Sequence, residues 1–332
     1  AMLFLFIREK EDLLLYVALT AATGLLGNIS MWGYLKGQVE KPVLKELRPL
    51  RHLKETLVYF IPTIATSVYT ILDKTMLGWF SGENKSQNGY YEYATGFVNM
   101  AKILIMSFNA VMSARMSYLF GTGRMEEIHK RFQDSLDFVL LMAMPIMLGL
   151  AGIAAQFIPW FLGNGYLPVT FLMYVCSPLV LVVGLSDCIG SQILTPGGKR
   201  AQSGKVIVAG AMVNACLNFL LIPHFAALGA AAASVAAECF ITSLYLWLGR
   251  DFIKLKMLVR YGWRRLVAAV IMLGAVVWTG QFLEQVRGLG PITTFIQIGA
   301  GAMVYFLVLL VMRDPFLYQY LGKIYRRLTG QP

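Results

Sequence analysis

Charge is scarce in this sequence. Only 14% of its 332 residues are Asp, Glu, Lys or Arg, where an ordinary soluble domain carries roughly a quarter. A single soluble core is excluded, because soluble helices keep a polar face and the long runs here are apolar on every side. Cysteine is scarce too. Cys176, Cys188, Cys216 and Cys239 all fall inside apolar runs, at spacings that match neither a metal site nor a disulfide framework. They read as small core residues. The histidines are His52, His129 and His224, all at loops or helix ends. There is no Ser/His/Asp spacing, no phosphate-binding glycine loop and no HExxH stretch. "GTGR" at 121–124 lacks the Gly-Lys-Ser/Thr of a P-loop. These absences leave no residue to name as catalytic or metal-ligating. They call for no cofactor and exclude an ATP-driven pump within this chain. No basic segment precedes a cleavage site, so no signal peptide is read.

Hydrophobicity is what the sequence has in quantity, at 57% of residues and a mean hydropathy of +0.62. About 20 apolar residues in a helix cross the hydrocarbon of a bilayer. Such runs lie near 13–35, 56–80, 90–120, 135–158, 168–194, 205–222, 226–248, 266–283 and 292–312. The expected fold is therefore all-α, a polytopic transmembrane bundle of about nine complete helices. "MLFLFI" at 2–7 reads as the tail of one more helix. The chain is expected to be the C-terminal part of a longer protein.

The net charge of +11 would suit nucleic acid, but its distribution excludes that partner. Lysine and arginine fall in alternate loops, the positive-inside pattern. The loop at 36–55 holds six, and 250–265 holds another six. Arg124, Lys130 and Arg131 follow one helix, Lys199, Arg200 and Lys205 another, and Arg313, Lys323, Arg326 and Arg327 lie in the tail. The loops between hold only Arg8, Lys10, Lys85 and Arg287. The alternation places 36–55, 121–134, 195–205, 249–265 and the C terminus in the cytoplasm. Phe252, Leu255, Leu258, Val259 and Leu266 recur at near-helical spacing among basic residues, as in a helix lying on an anionic leaflet. Pro62, Pro145 and Pro178 interrupt apolar runs, and such breaks bend membrane helices.

An ionisable group at bilayer depth costs a few kcal/mol and usually faces a bundle interior or a wet cavity. Lys102 lies about 18 Å into its run, near the midplane. Asn99, Lys102, Met106, Asn109 and Ser113 share one helix face. That stripe reads as a cavity wall, or as a helix contact in which Lys102 meets an acid on a neighbour. Glu238 is also near mid-depth, behind the small-residue run "AALGAAAASVAAE" at 226–238, which permits close packing. Asn214 and Asn218 lie one turn apart on one face and line a cavity or bond across an interface. Asp187 lies toward the cytoplasm, in reach of the basic loop at 195–205. Arg115 sits near the cytoplasmic headgroups. Asp73 and Lys74 end their run near the outer surface, where they cap the helix at the water boundary or act as a gate.

Several stretches resemble a known family. "DKTMLG" (73–78), "GYYEYA" (89–94), "SARMSYLF" (113–120), "GSQILTPGGKR" (190–200) and "NACLNFLLIPHFAALGAAAASVAAE" (214–238) are similar to the oligosaccharide-lipid flippases of polysaccharide and O-antigen biosynthesis. These belong to the multidrug/oligosaccharidyl-lipid/polysaccharide exporter superfamily. The likeness runs from about residue 1 to 325 and rests on the order of the stretches rather than on one motif. It implies a two-lobe exporter fold. Residues 1–35 would end the first lobe, 36–55 would be the cytoplasmic linker, and 56–248 would form the six-helix second lobe. A basic amphipathic segment at 249–265, two additional helices at 266–312 and a cytoplasmic tail at 313–332 would follow.

The resemblance further implies transfer of an undecaprenyl-diphosphate-linked oligosaccharide from the cytoplasmic to the outer face of a bacterial inner membrane, by alternating access. Its partners would be that lipid-linked glycan, membrane lipids and other polysaccharide assembly proteins. Lys102 and Arg115 are the cations it assigns to the diphosphate, joined by Asn99, Asn109, Asn214 and Asn218 as cavity residues. Asp73, Lys74, Glu238 and Asp187 are the gate or coupling residues. The chain departs from the family at Ala114, where proline often precedes the arginine. Alternatives are a peptidoglycan-precursor flippase or cation-coupled drug exporter of the same fold, and a membrane-embedded glycan polymerase or ligase. The short outer loops count against the last.

Overall fold

The computed structural model describes residues 12–33, 53–80, 82, 86–253, 255–320 and 322. The expected helix tail at 2–7, most of the 36–55 linker and the end of the tail lie outside the described residues. The chain divides into two units, Ala1–Lys54 and Glu55–Pro332. In the first, helix α1 (Leu13–Trp32) is mostly apolar, with Leu14, Leu25, Leu26 and Trp32 all exposed. A surface this apolar suits lipid or another helix rather than water.

The second unit is all-α among the described residues. Its helices are α2 (Leu53–Phe80), α3 (Ser86–Gly121), α4 (Met125–Phe161), α5 (Leu167–Cys176), α6 (Leu179–Ile189), α7 (Arg200–Leu248), α8 (Leu255–Arg287) and α9 (Pro291–Val311). A 3-10 turn at Asn164–Tyr166 precedes α5, and a π-turn at Gly190–Leu194 follows α6. Pro145 and Pro159 sit inside an unbroken α4. Pro178 marks the break between α5 and α6, where the pair bends by 42°.

Helix α7 is a hairpin rather than one rod. Pro223 removes a backbone donor, and Ala226 takes a left-handed φ of 48°. The arms 200–225 and 227–248 then run back along each other. Ser203 bonds the Tyr245 hydroxyl, and Gly210 admits Ile241. Gly229 lies so close to the Leu221 carbonyl that a Cβ there would collide with it. The glycine requirement is thus one of contact, made by the tight return.

Among the described residues, six helices are long and apolar enough to cross a membrane, seven if α5 and α6 form one span. The hairpin in α7 splits one of these into the two spans expected at 205–222 and 226–248. Helix α2, with 28 residues, has the length of a span but is not among the six. The protein is multi-pass. Its main core joins α2 to α7, with Leu77, Ile105, Phe132, Val180 and Ile193 at its centre. A second core joins α4, α8 and α9 around Met272, Val276 and Tyr305. Gly152 of α4 and Gly301 of α9 both face Val276, where any side chain would push the helices apart.

The segment expected on the membrane surface holds a different feature. Helix α8 runs unbroken through it from Leu255, and Arg265 is completely buried. Its Nη1 donates to the Asp137 carboxylate at 2.9 Å and to the Asp137 carbonyl at 2.8 Å. Its Nε donates to Asp314 at 3.2 Å, and Asp314 also caps the Leu317 amide at 3.0 Å. One guanidinium thus ties α4, α8 and the segment after α9 together. Removing one partner of a buried ion pair typically costs about 3–5 kcal/mol. Arg265→Met is expected to lose stability on that scale, because two acids are left without their cation. Thermal unfolding in detergent checks this, and an unchanged midpoint would show that the triad does not hold the helices.

Candidate functional site

Helix α3 organises the polar interior. Tyr91 and Asn109 are eighteen residues apart, five full turns at 3.6 residues per turn. Lys102 falls between them, within about 20° of the same line. One face of α3 therefore carries Tyr91, Lys102 and Asn109 in register. The expected stripe is realised in part. Asn109 is fully buried, Lys102 and Ser113 are half-buried, and Asn99 and Met106 are exposed.

Asp73, near the end of α2, is buried. Its Oδ2 accepts hydrogen bonds from Tyr91 at 2.9 Å and Ser234 at 2.8 Å. Its Oδ1 accepts one from the Asn218 amide, which also donates to Asn214 Oδ1 at 3.0 Å. Tyr91 and Ser234 lie 3.0 Å apart. The carboxylate thus gathers α2, α3 and both arms of α7. Asn214 and Asn218 are fully buried, held in this network as interface residues. Two of their atoms, Asn214 Nδ2 and Asn218 Oδ1, are buried without a partner. The neighbouring Lys74 is exposed and pairs with Glu92, so the adjacent charges of "DK" face different surroundings.

A second network lies toward the other end of α3. Asn109 Nδ2 donates to Asp187 Oδ2 at 2.9 Å and to the Gly184 carbonyl at 3.2 Å. Gln192 Nε2 donates to Asn109 Oδ1 at 3.1 Å, and Ser113 donates to the Ser191 carbonyl at 2.9 Å. Asp187 is held by α3; among the described residues it makes no ion pair with the basic loop at 195–205.

The remaining predicted residues lie elsewhere on the same helices. Glu238 is half-buried on the second arm of α7, and its charge acts on Lys102. Arg115 is at the far end of α3, half-exposed. It bonds Glu127 at 3.3 Å, where Arg124 and Arg131 also converge at 3.7 and 3.6 Å. Sequence reasoning missed Tyr91, Ser234 and Gln192. Tyr91 was open to discovery, since its whole-turn spacing from Asn109 is a matter of arithmetic. Ser234 hides in a run of alanines, and Gln192 owes its position to the π-turn.

Comparison with known proteins agrees with the recognised family. Residues 28–171 match the family model described as "Polysaccharide biosynthesis protein". The chain is 24% identical over 250 residues to the "Putative O-antigen transporter" of Escherichia coli K12, covering 75% of this chain and 60% of that protein. It is 23% identical over 279 residues to the "Probable low-salt glycan biosynthesis flippase Agl15" of Haloferax volcanii, covering 82% of this chain and 57% of the other. It thus spans less than two thirds of either relative. Among solved structures, the lipid II flippase MurJ in an inward closed conformation superposes with a TM-score of 0.64 at 18% identity, over 82% of this chain and 58% of MurJ. These relatives are transporters and flippases by name, not enzymes. The chain is a multi-pass membrane protein with a MurJ-like fold, similar in sequence to an O-antigen transporter and a glycan flippase over part of their length.

Proposed function

We propose that this chain serves in a flippase that moves an undecaprenyl-diphosphate-linked oligosaccharide from the cytoplasmic to the outer face of a bacterial inner membrane by alternating access. Residues 56–248 act as its second lobe, 266–312 as two additional helices, and the C terminus is cytoplasmic. The observation that carries this reading is Lys102. It is half-buried on α3, in line with two buried polar anchors. A cation held at that depth suits the oxygens of a diphosphate, and a compact ammonium is free to exchange one anionic partner for another. Glu238, whose charge acts on it, holds the place of the anion between cycles. Arg115, drawn with Arg124 and Arg131 around Glu127, offers a cationic first contact at the cytoplasmic end. Asn99 is exposed on α3 and reaches the glycan side.

Asp73 is the coupling carboxylate in this reading. It joins α2, α3 and both arms of α7, so neutralising it with a small cation or a proton changes what holds those helices together. Lys74 with Glu92 forms an outer gate pair. A peptidoglycan-precursor flippase is the second reading, favoured by the likeness of the fold to the lipid II flippase. A lipid-linked diphosphate would meet the same lysine, and only the glycan differs.

Lys102→Glu in the full natural chain is expected to cut export of lipid-linked glycan at least about tenfold, the effect of about 1.4 kcal/mol on an affinity. Lys102→Arg should retain most of it. Export assayed in cells that depend on the protein checks both, and wild-type export by Lys102→Glu would end the diphosphate reading. Asp73→Asn keeps the size of the side chain and removes its charge. It is expected to stop export while the purified protein still unfolds cooperatively. Export at the wild-type rate would remove Asp73 from coupling.

A further inference from the structure

The network around Asp187 contains an acceptor with nothing to accept. Asn109 Nδ2 must face the two acceptors Asp187 Oδ2 and Gly184 O. Asn109 Oδ1 is thereby the acceptor, and Gln192 must present its Nε2 to it. The orientation of both amides is forced by this chain of bonds. Gln192 Oε1 is left buried and unpartnered on a residue with no exposure at all. Ser191 Oγ, on the preceding residue, is also buried and unpartnered. Each such orphan costs about 1–3 kcal/mol until a ligand satisfies it. The π-turn Gly190–Leu194 creates the arrangement, closed by the Thr195 amide on the Gly190 carbonyl at 2.9 Å.

A carboxylate, a carboxamide oxygen and a hydroxyl are hard oxygen ligands. One carboxylate among neutral oxygens matches a charge of one. We propose that Asp187, Gln192 and Ser191, held in place by Asn109, form a binding site for a small monovalent cation such as Na⁺, separate from Asp73. The two carboxylates are anchored to α3 five turns apart, through Tyr91 and Asn109. They lie on opposite sides of Lys102. The site draws its purpose from the coupled-transport reading, while cation binding itself is independent of what is transported.

The test is thermal unfolding of the full natural chain in detergent, with NaCl titrated against N-methylglucamine chloride at constant ionic strength. Binding to the folded state raises the midpoint with cation concentration. In an Asp73→Asn background, Na⁺ is expected still to raise the midpoint, and adding Asp187→Asn should remove that rise. Ser191→Ala deletes only an unpartnered hydroxyl. It should leave the sodium-free midpoint unchanged and move the Na⁺ dependence to about tenfold higher concentration, the effect of one lost ligand. If Asp187→Asn does not fold, Ser191→Ala decides alone. The site is refuted if Asp73→Asn abolishes every Na⁺-dependent shift, if Ser191→Ala leaves the dependence in place, or if the remaining shift follows pH and not Na⁺. None of these outcomes touches glycan export by the unmutated chain, and a failure of Lys102 in export leaves the Na⁺ shift standing.

Discussion

A carboxylate cannot rest inside a membrane protein unless other groups share its charge, and the second unit is organised around that constraint. In hydrocarbon, no water is at hand to satisfy polar atoms, so each must find a partner within the bundle. Asp73 finds Tyr91, Asn218 and Ser234 on three other segments. Asp187 finds Asn109, and Asp137 and Asp314 share Arg265. Apolar packing alone would let helices slide, because lipid is as oily as leucine. The acids are what fix which helix meets which.

The three acid networks differ in the charge that meets the acids. The Arg265 network joins one cation to two carboxylates through directed guanidinium bonds, a geometry suited to holding parts still. The Asp73 and Asp187 networks use only neutral donors. Each of the three keeps at least one polar atom buried without a partner, Arg265 Nη2 among them. The charged network joins α4, α8 and the segment after α9, and the neutral ones lie along α3.

Most of the spans were legible in the sequence because hydropathy over about 20 residues is a strong signal; the run at 56–80 forms a helix that is not among the candidate spans. The return at 223–226 was legible as the gap between the apolar runs at 205–222 and 226–248. The burial of Asp73 was not. Its partners are 18, 145 and 161 residues away, and depth along one helix says nothing about what neighbouring helices present. Arg265 was concealed by its company: among six basic residues in a short stretch it read as surface charge, while its acids lie on α4 and in the segment after α9. The stripe on α3 was read from Asn99 onward, and starting one span-end earlier would have caught Tyr91. Counting placed Lys102 midway along its helix, and counting alone left open what faces it.

A rod cannot turn at one end only. With Tyr91 and Asn109 in phase about 27 Å apart, any roll of α3 about its axis carries both anchors sideways in the same sense and by the same angle. Loosening one grip strains the other at once, with no relay of intermediate side chains. The stretch between them behaves like a camshaft: two followers, one shaft, and the lysine riding at a fixed angle to both.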